Sequence, residues 1–391
     1  MKKISLLLLI LIYNFSFSQS KTISGIIKDI TSLQPVESVS IGISNSNLGT
    51  ISNEDGKFRI TLPANSNKIE FSHLLYNFET YAVKQNDTEV EIFLTPKSFK
   101  LDEVVINHKP GKELLTAAID ASKNKLEKSI VLNTYYREFV NVDNKYTSFS
   151  DGLVDFYVKR KSGASDVEVK QSRVFDLKDE NASEREQAIQ MVNLNDIRDA
   201  VTNAYNFKGL SKILKDDSYN YGVETKTEEN GNGIEVVTFQ PKDGIEEEQL
   251  YEGSVTYDAK TKLILDIDMR FSPAYKKFNT VHNLLIAKAK FNDFVRKSKF
   301  KLDGDKYVMV YNQIKINIYI KFGKMINNTF ESTYDMTVLD YKEGEFELFK
   351  SRKYRERSLF DNGNKYTEEF WKKYNVVLLS DAEEKIINSL K

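Results

Sequence analysis

The residues of this 391-residue chain that could do chemistry are few and scattered. Its three histidines, His73, His108 and His282, stand too far apart for an H-E-x-x-H zinc helix, and there is no cysteine to supply thiolates. No G-x-S-x-G elbow, Walker loop or dinucleotide fingerprint occurs, so acyl transfer, phosphoryl transfer and hydride transfer lack their sequence signatures. Asp266 and Asp268 lie two apart and share one strand face. A carboxylate pair could serve glycoside hydrolysis, but it is equally the pattern of a solvated face. His73, close to Phe71 and Tyr76, reads as a packed or surface imidazole. Residues 246–248 read as an acidic loop. The sequence predicts no catalytic residue, no cofactor-binding residue and no metal ligand, and a hydrolase is the third of three functional readings.

One basic series could meet anionic lipid headgroups: Lys288, Lys290, Arg296, Lys297, Lys299 and Lys301. Phe291, Phe294 and Phe300 interleave with it. That alternation favours an ordinary strand with lysines facing water and aromatics facing a core.

Composition narrows the class. Lys and Arg total 56 against 57 Asp and Glu, a net charge of −1 without a concentrated basic region, which gives no reason for a nucleic-acid partner. Lys2 and Lys3, the apolar run at 4–13, and Ser16, Ser18 and Gln19 have the layout of a secretory signal. Cleavage after Ser18 is expected, in a signal peptide spanning 1–18. The apolar run is too short to span a bilayer, and without cysteine the mature chain carries neither a lipid-modified cysteine nor a disulfide. The expectation is an exported protein, periplasmic or associated with the outer membrane, with the cell surface as a further location.

The elements come next. Phe58, Ile60 and Leu62 alternate with Lys57, Arg59 and Thr61 after the turn Asn53-Glu54-Asp55-Gly56. Similar alternation at 22–29, 36–44, 68–74 and 89–94 predicts a β-sandwich. Gly25, Asp29, Pro35, Val39, Ile41, Gly49, Thr50, Asn53, Gly56, Phe58, Phe71, Ser72 and Tyr76 carry a resemblance. With them, residues 21–106 resemble the carboxypeptidase-regulatory-like domain, a transthyretin-like β-sandwich; Leu75 stands where that family usually has glycine. The resemblance implies a non-catalytic accessory module common in cell-envelope proteins of Bacteroidetes.

A linker is expected at 107–112, then a larger α+β domain over 113–391. Leu114, Leu115, Ala118, Ile119 and Leu126 recur at helical spacing in 113–126. Two β runs meet at Asp143-Asn144, with Phe149, Val154, Phe156 and Val158 supplying a buried face. Residues 176–214 read as covering helices, one capped through Ser183 and Glu186 and one through Asn195. Strands joined by short turns over 219–349 predict a curved antiparallel sheet with helices against it. Gly253, Val255, Tyr257, Asp258, Thr261 and Ile264 look like a hairpin of half-barrel envelope proteins of the lipoprotein-carrier kind. Charges at Lys315 and Lys321 argue against a lipid-facing barrel.

The tail places Phe370, Trp371 and Tyr374 on an aromatic face before a helix starting at Ser380, boxed by Glu383. These aromatics read first as packing residues and second as a partner-docking surface. The leading functional expectation is an envelope adaptor that binds another protein or a surface polymer. The alternative is a carrier of a lipid or other apolar ligand, with its cavity between the sheet and the helices of 176–214.

Overall fold

The computed structural model describes residues 20–100, 111–126, 129–159, 164–176, 194, 196–228, 231–364 and 377–389. The fold is mainly β. Strands β1 (Lys21–Asp29), β4 (Lys57–Leu62) and β7 (Glu89–Leu94) form a three-stranded sheet in the order β4-β1-β7. Strands β2 (Ser40–Ile43), β3 (Gly49–Ile51), β5 (Lys68–His73) and β6 (Tyr76–Ala82) form a four-stranded one in the order β3-β2-β5-β6. Alternate residues of both sheets meet in one core that includes Ile23, Ile27, Ile41, Phe58, Ile60 and Phe71. Gly56 takes φ +71 in the turn before β4, and a Cβ there would stand 2.5 Å from the Ile27 carbonyl oxygen.

A 12-stranded sheet makes up most of the remainder. Its strands are β8 (Phe99–Lys100), β9 (Ile130–Val142), β10 (Lys145–Val158), β11 (Ser165–Asp176), β12 (Tyr219–Glu228), β13 (Gly233–Pro241), β14 (Tyr251–Asp258), β15 (Ile264–Phe271), β16 (His282–Leu284), β17 (Ala287–Asp303), β18 (Lys306–Phe322) and β19 (Ile326–Glu343). The order is β11-β10-β9-β19-β18-β17-β15-β14-β13-β12-β8, with β16 pairing β17. The β9–β10 turn falls at Asp143 (φ 49) and Asn144 (φ 67), the two positive angles of a tight hairpin turn. Register shifts break the alternation at Tyr146/Ser148, Phe291/Asp293, Lys299/Phe300 and Val338/Asp340.

Both faces of this sheet are covered in part. On the inner face lie helices α1 (Gly111–Lys125), α2 (Asp199–Tyr205) and α3 (Lys208–Lys215). Leu115, Ala118 and Ile119 of α1 and Leu210 and Ile213 of α3 join Tyr136, Val154, Phe156 and Val158 in the main core. Helix α1 opens at Gly111, inside the stretch expected as linker, and a Cβ at Gly111 would come 2.7 Å from the Tyr221 Cβ.

On the outer face, Ile51 of the sandwich packs with Tyr135, Leu153, Tyr311, Leu339 and Val377. Helix α4 (Asp381–Ser389) sets Ile387 against Phe139 and Phe149. Phe149 therefore does not share a face with Val154, Phe156 and Val158, as the sequence suggested: odd and even positions of β10 are both buried, one set on each side. Ser380 and Glu383 form the expected capping box, Ser380 N donating to Glu383 Oε2 at 2.7 Å and Glu383 N to Ser380 Oγ at 3.2 Å. Strand β11 was not expected from sequence, and it occupies the edge of the sheet up to Asp176.

Candidate ligand site

The site is built on the inner face, where α2 and α3 cross the middle strands. Ser298 Oγ donates to Asn312 Oδ1 at 2.7 Å, and Asn312 Nδ2 donates to the Ala200 carbonyl at 2.8 Å. This buried relay fixes α2 above β17 and β18. Phe207, at φ 49, turns the chain between the helices and stacks its buried ring against Phe300, 5.6 Å between centroids. Gly209 then brings α3 close to the sheet: a Cβ there would be 3.1 Å from Met269 Cε and 3.6 Å from Arg296 Nη1.

Between these helices and the strands lies a cavity of about 520 Å³, within the range of small-molecule sites. Its sheet wall is apolar and aromatic: Met269, Phe294, Ile314, Ile316, Tyr251 and Tyr334. Tyr251 stands edge-on to Phe294 at 5.7 Å between centroids and tilted to Phe271 at 5.0 Å. Burial raises the phenol pKa of both Tyr251 and Tyr334. The helical wall is polar, with Asp199 and Asn203 from α2 and Lys208, Lys212 and Lys215 from α3; the three lysines are exposed at the rim.

Arg296 sits inside. It is 6% exposed, and its Nε and Nη2 make no hydrogen bond. Burial holds its pKa below the usual arginine range, with Tyr334, Asp199 and Tyr251 opposing that shift. Burial, then Asp196, pushes up the carboxyl pKa of Asp199, the one acid in the cavity lining among the described residues. The lining is thus cationic at one side and apolar at the other, with free guanidinium donors between.

The residues singled out from sequence fall elsewhere. Asp266 Oδ2 accepts from Lys299 Nζ at 2.7 Å, and Asp268 lies between Ser254 and Lys297 on the interior strand β15; neither is in the cavity lining. His73 is half-buried beside Tyr76; its Nδ1 accepts the Leu75 N–H at 3.2 Å, and burial lowers its pKa to about 4. His282 pairs with Glu248 at the base of a hairpin. His108 and the docking residues Phe370, Trp371 and Tyr374 lie outside the described residues, as do Ser183, Glu186 and Asn195. No group of three or more His, Asp or Glu among the described residues is arranged to hold a metal. Among them, too, no helix is long and apolar enough to cross a membrane.

Sequence reasoning placed Arg296 in an outward basic series. Arg296 shares the parity of Phe294, Ser298 and Phe300; the extra residue Asn292 switches the parity of β17 before them, where Ala289 is the buried position, and the second shift, at Lys299/Phe300, falls on Val310 of β18. The lysines stay outside while the single arginine turns in.

Residues 23–106 match the CarboxypepD_reg-like domain. None of the curated proteins compared with the chain matches it. Among solved structures, a LolA superfamily protein from Nitrosomonas europaea is 9% identical, with 60% of this chain and 94% of that chain covered and a TM-score of 0.24. A DUF1329 family protein from Desulfovibrio piger is 11% identical, over 60% and 93% of the two chains, also at 0.24. Lipovitellin is 10% identical, over 66% and 29%, again at 0.24. Superpositions this loose do not establish a shared fold.

Proposed function

We propose that the protein is an exported, non-catalytic binding protein of the cell envelope whose large domain carries an anionic amphiphile, such as a fatty acid or a lipid with one acidic head. The observation that supports this reading is Arg296, a buried guanidinium whose Nε and Nη2 have no hydrogen-bond acceptor, in the lining of a largely apolar cavity. A buried charge with unmet donors costs several kcal/mol. A carboxylate or phosphate would supply two parallel acceptors, while Phe294, Ile314, Ile316 and Met269 would take the apolar body. The rim lysines would draw the head inward, and the sandwich would serve as the accessory module its family implies.

The test is titration of the full mature chain and its Arg296→Met variant with a dansylated fatty acid, alongside thermal melts. The wild type should bind, and the variant should lose at least about tenfold in affinity while melting at the same or a higher temperature. A variant that unfolds early would mark Arg296 as a structural residue. Equal affinity in both proteins would remove the arginine from the site.

A further inference from the structure

We propose that the tip of the β16–β17 hairpin, together with the neighbouring β18–β19 turn, docks on an anionic lipid surface. Leu284 pairs with Ala287, which leaves Leu285 and Ile286 as a two-residue turn. Such turns ordinarily hold Gly, Asn or Asp, because those residues tolerate the backbone and water solvates them. Here Leu285 is 108% exposed, Ile286 79% and Leu284 55%. The adjacent turn adds Phe322 and Met325, both exposed, around Gly323 at φ 55.

A collar of cations stands one step behind these side chains. Lys288 lies directly opposite Lys321 across β17 and β18, and Lys324 sits in the second turn; all three are exposed. Like charges facing each other across a ladder destabilise it unless an anion lies between or beyond them. No carboxylate occurs in residues 281–292 or 314–330. The acids around the base are engaged: Glu248 by His282 Nε2 and Thr280 Oγ1, Asp293 by Lys276, and Asp143 by Asn328 Nδ2 and the Thr329 N–H.

Apolar tips with lysines just behind them suit a bilayer whose headgroups carry phosphate, with side chains entering the acyl boundary and ammonium groups staying at the headgroups. Two turns of a few residues fall well short of the roughly 1,000 Å² that a specific protein interface needs. The strand face that walls the cavity continues to this tip. Ile314 and Ile316 line the cavity, and Ile318 and Ile320 follow on the same side of β18, so Phe322 stands about 20 Å from Ile316. The lipid surface would meet the end of that apolar strip. The docking rests on the tip itself and holds whether or not the cavity takes an amphiphile.

The experiment is co-sedimentation of the full mature chain with phosphatidylglycerol/phosphatidylcholine vesicles and with pure phosphatidylcholine vesicles, at low and high salt. Sedimentation with the anionic vesicles, weakened by salt, is expected. Leu285→Ser with Ile286→Ser should lower partitioning at least about tenfold, and Lys288→Gln with Lys321→Gln about fivefold per lysine. The altered side chains are exposed, so melting curves should match the wild type. Arg296→Met should sediment like the wild type, which separates this surface from the cavity. Absence of binding to anionic vesicles would overturn the proposal. So would undiminished binding by the Leu285→Ser/Ile286→Ser variant, or capture of the tip by an acidic protein surface while vesicles are ignored.

Discussion

Arg137 on β9 holds Asp335 on β19 by two parallel hydrogen bonds, Nε to Oδ1 at 3.0 Å and Nη2 to Oδ2 at 2.9 Å. Both side chains are buried, and the two residues are direct partners across the ladder. The remaining arm, Nη1, reaches Glu383 Oε2 at 3.0 Å, the same carboxylate that boxes the N-terminus of α4. Burial works against the charge on Arg137, but Asp335 and then Glu383 outweigh it and hold the guanidinium pKa above its usual range. One arginine thus joins two neighbouring strands of the outer face to the tail helix.

Arg137→Met should be among the most damaging single changes in the chain. It leaves Asp335 buried without its counter-charge and frees the α4 cap, at a cost of about 3–5 kcal/mol. Urea unfolding followed by circular dichroism measures this. A loss under about 1 kcal/mol would show that the pair is not needed by the folded state.

Asn53 offers a cleaner separation of sandwich from tail. Its Oδ1 accepts from Asp55 N at 3.1 Å and Lys57 N at 2.8 Å, closing its own turn. Its Nδ2 donates to the carbonyls of Leu378 and Leu379 at 3.3 and 3.1 Å. Asn53→Asp keeps the acceptor and removes the donor. Amide exchange in α4 should accelerate about fivefold or more, for the loss of one or two hydrogen bonds, while the sandwich keeps its protection.

Gly209→Leu tests the cavity from its helical side. A helix interior gains about 1 kcal/mol on losing glycine, and the first atom met is the mobile end of Met269. Stability should stay within about 1 kcal/mol of wild type, and affinity for the dansylated fatty acid should fall at least about tenfold as the side chain fills the space. Unchanged affinity would mean that the ligand does not lie under α3.

His73 gives the sandwich a pH dependence of known sign. Its folded pKa, about 4, lies below the unfolded value of 6.5, so the unfolded chain binds the proton more readily. Its contribution to stability is complete above pH 6.5 and lost as the pH falls towards 4. His73→Gln should flatten the stability profile in that window. An identical slope in both proteins would show that His73 does not titrate with unfolding.

The N-terminal sandwich was legible because its strands have one buried face and glycine-marked turns: Phe58, Ile60 and Leu62 alternate without interruption, and Gly56 is where φ must be positive. Helix α1 and the Asp143-Asn144 turn were legible for the same local reasons. The cavity was not. Arg296 shares the even parity of Phe294 and Phe300, a signal present in the sequence, but the lysines around it mask that signal, and the helices that close over it come from the much earlier segment 199–215. Strand β11 escaped notice because its apolar residues, Val167, Val169, Val174 and Phe175, are split by the polar run at 170–173, and its pairing with β10 supplies what its own pattern lacks.

Strand β9, the first long strand of the large sheet, pairs with β19, Ile130 opposite Glu343, while the tail meets the Asn53 turn across 326 residues of sequence. Such closures bring late-made chain against early-made chain. A chain emerging amino end first can complete its sandwich at once, but β9 must wait with one ladder edge open until β19 arrives. During that interval the edge is open to pairing with other chains. The yield of folded protein should therefore be more sensitive to chaperone supply than its folded stability alone would suggest.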